Sequence, residues 1–106
     1  MKILVIDDEF VALTKLTVLL ASYGECDAAT HARQGFEMFR EAAKREEPYG
    51  LLAVDIRLPD IDGIELIRMI SRTEKHLGLR PAKKIIVSVE GSTHNVTLAA
   101  KSHCDA

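Results

Sequence analysis

The segment from Leu51 to Gly63 reads LLAVDIRLPDIDG, and the interpretation of the whole chain starts from it. Four apolar residues lead directly into Asp55, and a turn-rich segment follows. A short unbroken apolar run bounded by turn signals is typical of a strand that is buried on both faces of a sheet. Asp55 then stands at the carboxyl end of that strand, where open α/β sheets place their ligands. Taken alone, the pattern equally fits a buried strand that simply meets solvent at Asp55.

Three further apolar runs complete a predicted sheet. Residues 2–6 (KILVI) predict a central parallel strand, and residues 26–29 predict a weaker edge strand. Residues 85–87 (IIV) predict a fourth buried strand that ends at Ser88, preceded by a solvated polar loop over residues 78–84. Strands that alternate with helical segments predict βαβ units and a mostly parallel sheet.

Helical periodicity fills the intervals between the predicted strands. Thr30 is predicted to cap the second helix. Asp62 is predicted to cap the third, in a capping-box pattern. A fourth helix is predicted to begin at Ser92 or Thr93 and to run towards Ala100.

Length and composition predict one compact domain over residues 1–106, since 47% of the residues are apolar and 28% are charged. The formal net charge is −2, which argues against direct binding of nucleic acid through charge. No apolar run approaches the length of a membrane span, and the strand that begins at Lys2 leaves no room for a signal peptide.

The cysteines and histidines show no pattern of ligands or disulfides. Cys26 and Cys104 lie far apart and are predicted to be free thiols in a reducing compartment, which favours a cytoplasmic location. The histidines lack the spacing of metal ligands and are predicted to be surface residues: His31, His76, His94 and His103.

Four polar side chains are predicted to meet at one edge of the sheet, because parallel strands share the direction of their carboxyl ends. Asp7 and Asp8 follow the first strand, Asp55 ends the third and Ser88 the fourth. Three neighbouring carboxylates repel one another and favour binding of a cation. Oxygen ligands with open positions suit Mg²⁺, which also accepts phosphate oxygens. The sequence therefore predicts a site for phosphoryl transfer with a carboxylate as nucleophile.

Three motifs in this order, KILVIDDE (2–9), VDIRLPDIDG (54–63) and IVSVE (86–90), resemble the receiver domain of two-component response regulators. The resemblance covers essentially the whole chain. It implies a flavodoxin-like (CheY-like) α/β fold with a doubly wound parallel sheet of strand order 2-1-3-4-5. It also implies phosphorylation of an aspartate, dependent on Mg²⁺, by a sensor histidine kinase or a phosphotransfer protein.

The resemblance assigns a role to each matching residue. Asp55 matches the phosphoacceptor and also a metal ligand. Asp8 matches the acid that contacts Mg²⁺ directly, and Asp7 the acid that reaches it through water. Arg57 matches the position whose backbone carbonyl completes the metal shell. Ser88 matches the switch hydroxyl that hydrogen-bonds the phosphoryl group.

The C-terminal end departs from the family pattern. The fifth strand, the lysine that ends it and the fifth helix are expected to be absent from residues 1–106, so that the domain is incomplete. Lys101 lies in the predicted fourth helix and is not a substitute for that lysine. The fourth strand would then be an open edge, which predicts dimerisation or aggregation through it, unless the natural protein continues and supplies the fifth strand and its lysine. An output domain or a partner protein is expected beyond this chain.

Two alternatives to the phosphoacceptor remain. A pseudo-receiver would act as an interaction module without phosphorylation, which fits the absent lysine but not the intact acidic triad. A phosphatase like the haloacid dehalogenases would also use an aspartate nucleophile. That family has an Asp-x-Asp pattern after its first strand, whereas Asp7 and Asp8 are adjacent.

Overall fold

The chain forms a five-stranded sheet with helices on both faces, described here by a computed structural model for residues 1–90 and 95–100. The elements in chain order are β1 (Lys2–Ile6), α1 (Phe10–Leu20), β2 (Glu25–Ala29), α2 (Ala32–Lys44), β3 (Leu51–Asp55), α3 (Gly63–Leu77), β4 (Lys83–Glu90) and β5 (Asn95–Ala100). The strand order is β2-β1-β3-β4-β5. The first four strands pair in parallel, which confirms the predicted flavodoxin-like fold.

Strands β1 and β3 occupy the centre of the sheet because their side chains are apolar on both faces. Successive residues of a strand point to opposite faces. Leu4, Ile6 and their neighbours on β3 pack in one core cluster with residues of α2 and α3. Ile3 and Val5 pack in a second cluster with residues of α1. Both faces of the central strands are thereby removed from water.

The prediction of a fourth helix is wrong for residues 95–100. These residues form β5, which pairs antiparallel with β4 from Ile85↔Ala100 to Glu90↔Asn95. If β4 were an edge strand, a row of its backbone donors and acceptors would have no partners. A neighbouring strand can form hydrogen bonds with these groups, whereas a helix cannot. The predicted start of the helix at Ser92 or Thr93 lies outside the described residues.

Strand β5 also corrects the predicted open edge, since it occupies the position beside β4. Its direction differs from the one expected for a fifth strand, since the resemblance implied a parallel sheet and β5 is antiparallel to β4. Within residues 1–90 and 95–100 there is no fifth parallel strand and no fifth helix. In the described part of the chain, the parallel fifth strand and the fifth helix are therefore absent, as predicted, and an antiparallel strand lies beside β4.

The caps of α2 and α3 come from one loop. Asp62 caps α3 as predicted, and its carboxylate accepts a hydrogen bond from the Ile64 N–H at 2.7 Å. Thr30 is not the cap of α2, because its hydroxyl and backbone N–H both bond to the side chain of Gln34. The first backbone N–H groups of α2 instead donate to Asp60, which lies far along the chain.

A buried ion pair joins α3 to β4. Lys84 belongs to the predicted polar loop, yet its side chain is almost fully buried, and its Nζ lies 2.8 Å from Oε1 of Glu74. The same ammonium donates to the Ala82 carbonyl, and Glu74 Oε2 accepts from the Ala82 N–H, both at 2.8 Å. Each charge thus has partners, which is the condition under which burial of an ion pair is tolerated.

Replacing Lys84 by methionine should destabilise the domain strongly. Lys84→Met leaves the Glu74 carboxylate buried without its cation, and breaking such a pair typically costs about 3–5 kcal/mol. Urea unfolding of the variant beside the wild type measures the loss. Lys83→Met is the matched control, because Lys83 is exposed in the same strand, and its change should stay within about 0.5 kcal/mol. Equal losses in the two variants would show that the ion pair is not required.

Candidate functional site

The parallel pairing of β1 with β3 brings three carboxylates together. Ile6 pairs with Val54, so that Asp7 and Asp55 follow at the same edge of the sheet and Asp8 comes next. One ligand oxygen from each of the three residues lies within 4.8 Å of the others. Asp7 is buried, Asp55 is half-buried and Asp8 is exposed. The predicted convergence of these three acids is what the structure shows.

Asp7 is the most constrained of the three. Its Oδ1 accepts the Glu9 N–H at 2.9 Å, whereas its Oδ2 is buried and finds no hydrogen-bond partner among the described residues. The pKa of Asp7 is raised to about 6, chiefly by burial; the Glu9 N–H offsets part of the rise, and the charges of Asp55 and Asp8 add to it. A buried anionic oxygen without a donor is unfavourable unless a cation meets it.

Asp55 stands in a milder environment that leaves it accessible. Burial raises its pKa, and the charge of Asp8 adds to the rise. The backbone N–H groups of Arg57 and Ile56 and the charge of Arg57 act in the opposite direction. Since Asp55 is only half-buried, its carboxylate can be reached from solvent and is still oriented by the loop that follows it.

The arrangement fits a hard divalent cation. Three carboxylates at one edge, one with an orphaned buried oxygen, supply the negative charge and the oxygen ligands that Mg²⁺ prefers. Asp7, Asp8 and Asp55 are the residues that could hold it, and the Arg57 carbonyl lies in the loop immediately after Asp55. His31 and His76 are exposed, which confirms their predicted position at the surface. His94 and His103 lie outside the described residues.

The loop between β3 and α3 is fixed closely to the site. The Ile56 N–H donates to the Val87 carbonyl at 3.3 Å, and the Gly63 N–H donates to the Ile56 carbonyl at 3.1 Å. A Cβ at Gly63 would lie 2.2 Å from the Asp55 carbonyl oxygen, closer than non-bonded atoms can approach. Glycine is therefore required for α3 to begin directly against the end of β3.

Ser88 lies beside the acids along the sheet, but within a strand. Its neighbour Val87 is the register partner of Asp55, which places the Ser88 backbone next to the site. The prediction that β4 ends at Ser88 is wrong, because β4 continues to Glu90 and pairs there with β5. The Ser88 side chain lies outside the described part of the structure, as does Lys101.

Asp60 is the residue of this region whose contacts the sequence did not reveal. It stands between Pro59 and the cap of α3, in the segment that was predicted to be rich in turns. Its carboxylate accepts two backbone N–H groups of α2, 27 and 28 residues earlier in the chain. No local pattern signals a cap supplied from such a distance.

No helix within residues 1–90 and 95–100 has both the length and the hydrophobicity to span a membrane. No curated protein matches the chain in sequence. Among solved structures, a response regulator receiver domain protein from Clostridium thermocellum is 27% identical with a TM-score of 0.70. The match covers 85% of this chain and 66% of that one, so the chain spans just under two thirds of that relative.

The receiver domain of the histidine kinase CKI1 from Arabidopsis thaliana is similar in two liganded structures. Its complex with Mg²⁺ is 29% identical with a TM-score of 0.74, and the match covers 86% of this chain and 70% of that one. Its complex with Mg²⁺ and BeF₃⁻ is 25% identical with a TM-score of 0.73, covering 86% and 68%.

A family model described as the response regulator receiver domain matches residues 3–105, which is nearly the whole chain. The match covers β3, β4 and all but the first residue of β1, and it includes Asp7, Asp8 and Asp55. It agrees with the parallel strand order and with the receiver domains among the structural neighbours. The chain belongs to the response regulator receiver domain family.

Proposed function

We propose that the domain is a phosphoacceptor switch that takes a phosphoryl group onto Asp55 in the presence of Mg²⁺. The observation that carries the proposal is the grouping of Asp7, Asp8 and Asp55 within 4.8 Å in a chain of this family. The liganded relatives support it, since one solved receiver holds Mg²⁺ and another structure of it holds Mg²⁺ with BeF₃⁻. The donor is a sensor histidine kinase or a phosphotransfer protein.

Phosphoryl transfer requires the protein mainly to position the reacting groups and to stabilise their charge. A carboxylate oxygen of Asp55 attacks the phosphorus of a phosphohistidine, so that a P–O bond forms while the P–N bond breaks. The departing imidazole nitrogen keeps the bonding electrons and takes up a proton. Mg²⁺, when bound, supplies positive charge for the carboxylates and the phosphoryl oxygens. Asp8 would bind the ion directly, Asp7 would reach it through water, and the Arg57 carbonyl would complete the set of ligands.

The proposed output is a change of conformation, and catalysis of an external substrate is not part of it. Ser88 hydrogen-bonds the phosphoryl group and passes the change to the paired strands β4 and β5. The change acts on an output domain or a partner protein, including a second copy of the chain, in the cytoplasm and without direct contact to nucleic acid. The pseudo-receiver alternative gains no support, because the acidic triad is complete.

Asp55→Asn should abolish phosphorylation. With phosphoramidate as donor and Mg²⁺ present, intact-mass measurement should show the gain of one phosphoryl group in the wild type and none in the variant, since the amide is not a nucleophile. Asp62→Asn is the control, because Asp62 is an exposed carboxylate of the same loop that caps α3. An undiminished gain in Asp55→Asn would refute the assignment.

Asp7→Asn should stabilise the protein in the absence of divalent ions. The raised pKa of Asp7 means that the folded state binds more protons than the unfolded state between pH 3.8 and about 6. Stability therefore falls as the pH rises through that window. Above it the charge costs on the order of 1–3 kcal/mol. Urea unfolding with a chelator, below and above the window, should show the gain in Asp7→Asn only at the higher pH.

Adding Mg²⁺ should make the wild type more stable than Asp7→Asn. Ligand binding stabilises the folded state, so the wild type gains stability with Mg²⁺ and both Asp7→Asn and Asp8→Asn gain less. Asp8→Asn should lose more Mg²⁺ affinity than Asp7→Asn, because a direct ligand contributes more than one acting through water. A wild type that exceeds Asp7→Asn in stability with chelator present at the higher pH would contradict the assignment of the buried charge.

Ser88→Ala should separate phosphorylation from its consequence. The variant should still gain one phosphoryl group, because the hydroxyl is needed only once the new anion is present. Its β4 and β5 amide resonances should shift less on phosphorylation than those of the wild type, since coupling requires contacts that differ between two states. Identical shifts in both proteins would exclude Ser88 as the switch residue.

A further inference from the structure

Asp60 connects two parts of the molecule that are distant in sequence. It lies in the loop between β3 and α3, five residues after Asp55. Its Oδ1 accepts the Ala32 N–H and its Oδ2 the Arg33 N–H, each at 2.9 Å. These are the first two residues of α2. One carboxylate thus joins the loop after the proposed phosphoacceptor to the N-terminus of another helix.

The physical basis of this bridge is the chemistry of a helix N-terminus. The first N–H groups of a helix have no partner within the helix, and the helix dipole favours an anion there. Hydrogen bonds to an ionised carboxylate are stronger than those between neutral groups. Desolvation raises the pKa of Asp60, but the N–H groups of Arg33 and Ala32, together with those of Asp60 and Ile61, outweigh it, so that the pKa is lowered.

The bridge holds the middle of a loop whose ends are already fixed. The N–H of Ile56 is bound to β4 at one end, and Asp62 caps α3 at the other. Between them, Leu58 and Ile61 pack partly against the core, whereas Arg57 is exposed. The Gly63 N–H also donates to the Ile56 carbonyl at 3.1 Å, so that the two ends of the loop are joined to each other directly after Asp55.

We propose that Asp60 is a positioning residue for the acidic site. By tying the loop that follows Asp55 to the N-terminus of α2, it fixes the position of that loop beside the acids and couples occupancy of the site to that helix end. The inference rests on the proposed function, since it takes Mg²⁺ as the ion that occupies the site. Coupling of this kind is reciprocal. If Mg²⁺ binding changes the conformation at the end of α2, a change at the end of α2 alters the affinity for Mg²⁺ by the same free energy.

Mg²⁺ alone is the probe, titrated into the wild type and three variants. Asp60→Ala removes both acceptors and should weaken Mg²⁺ binding roughly tenfold, as is typical for residues that orient a metal ligand. Asp60→Asn keeps one acceptor oxygen and should recover part of the affinity. Asp27→Ala is the matched control: it removes one negative charge and the 2.6 Å hydrogen bond from the Tyr49 hydroxyl, in the middle of β2.

The amide resonances of Ala32 and Arg33 provide a second measurement. If Asp60 served only the stability of the fold, the response of these resonances to Mg²⁺ would not depend on its carboxylate. In the wild type and in Asp27→Ala, Mg²⁺ should shift both resonances, although neither residue carries a ligand. In Asp60→Ala these shifts should vanish while that of Glu9, next to Asp8, remains. The pattern would demonstrate that the signal reaches α2 through the Asp60 carboxylate.

The outcomes distinguish this inference from the function on which it rests. A wild type that fails to bind Mg²⁺ would overturn the proposed function and the inference with it. A wild type that binds, together with an Asp60→Ala variant of equal affinity and unchanged Ala32 and Arg33 shifts, would overturn the inference alone. So would an affinity loss in Asp27→Ala equal to that in Asp60→Ala. If Asp60→Ala does not fold, Asp60→Asn decides by the same comparison.

Discussion

The parallel pairing of β1 with β3 is the constraint on which the site depends. It forces the residues that follow two apolar strands into proximity, and in this chain those residues are acidic. Repulsion among the carboxylates would separate them on a flexible surface, but the buried strands cannot move apart without exposing the core. The core therefore holds Asp7 in an environment that its charge disfavours, which makes the metal-free domain sensitive to pH at this point.

Much of this arrangement could be predicted from the sequence, because burial on both faces leaves a local signature. Unbroken apolar runs identified β1 and β3, and the parallel direction of the strands then placed Asp7, Asp8 and Asp55 together. The motif resemblance indicated a known family, and the match over residues 3–105 confirms that family. The strong predictions are those in which one residue's environment follows from its immediate neighbours.

The errors share a different cause, since each depends on a partner that is remote in sequence or unknown from local pattern. The segment 95–100 has apolar residues at helical spacing, and its state is decided by the backbone groups of β4 that need partners. Lys84 has a charged side chain that is usually exposed, but here it is buried because it pairs with Glu74 on α3. Asp60 resembles an ordinary turn residue until the end of α2 is placed beside it. Tertiary contact overrides local preference in all three cases.

Helix α3 is attached to the sheet at two separate points, and the number of residues between these points is therefore fixed. Its first residue, Gly63, abuts the end of β3, and Glu74, eleven residues later, is clamped to Lys84 near the start of β4. Successive helical residues are rotated by about 100° and advance by about 1.5 Å. A single inserted or deleted residue between these points would turn Glu74 away from its partner. The length of this helix should therefore tolerate far less variation than the loops that flank it.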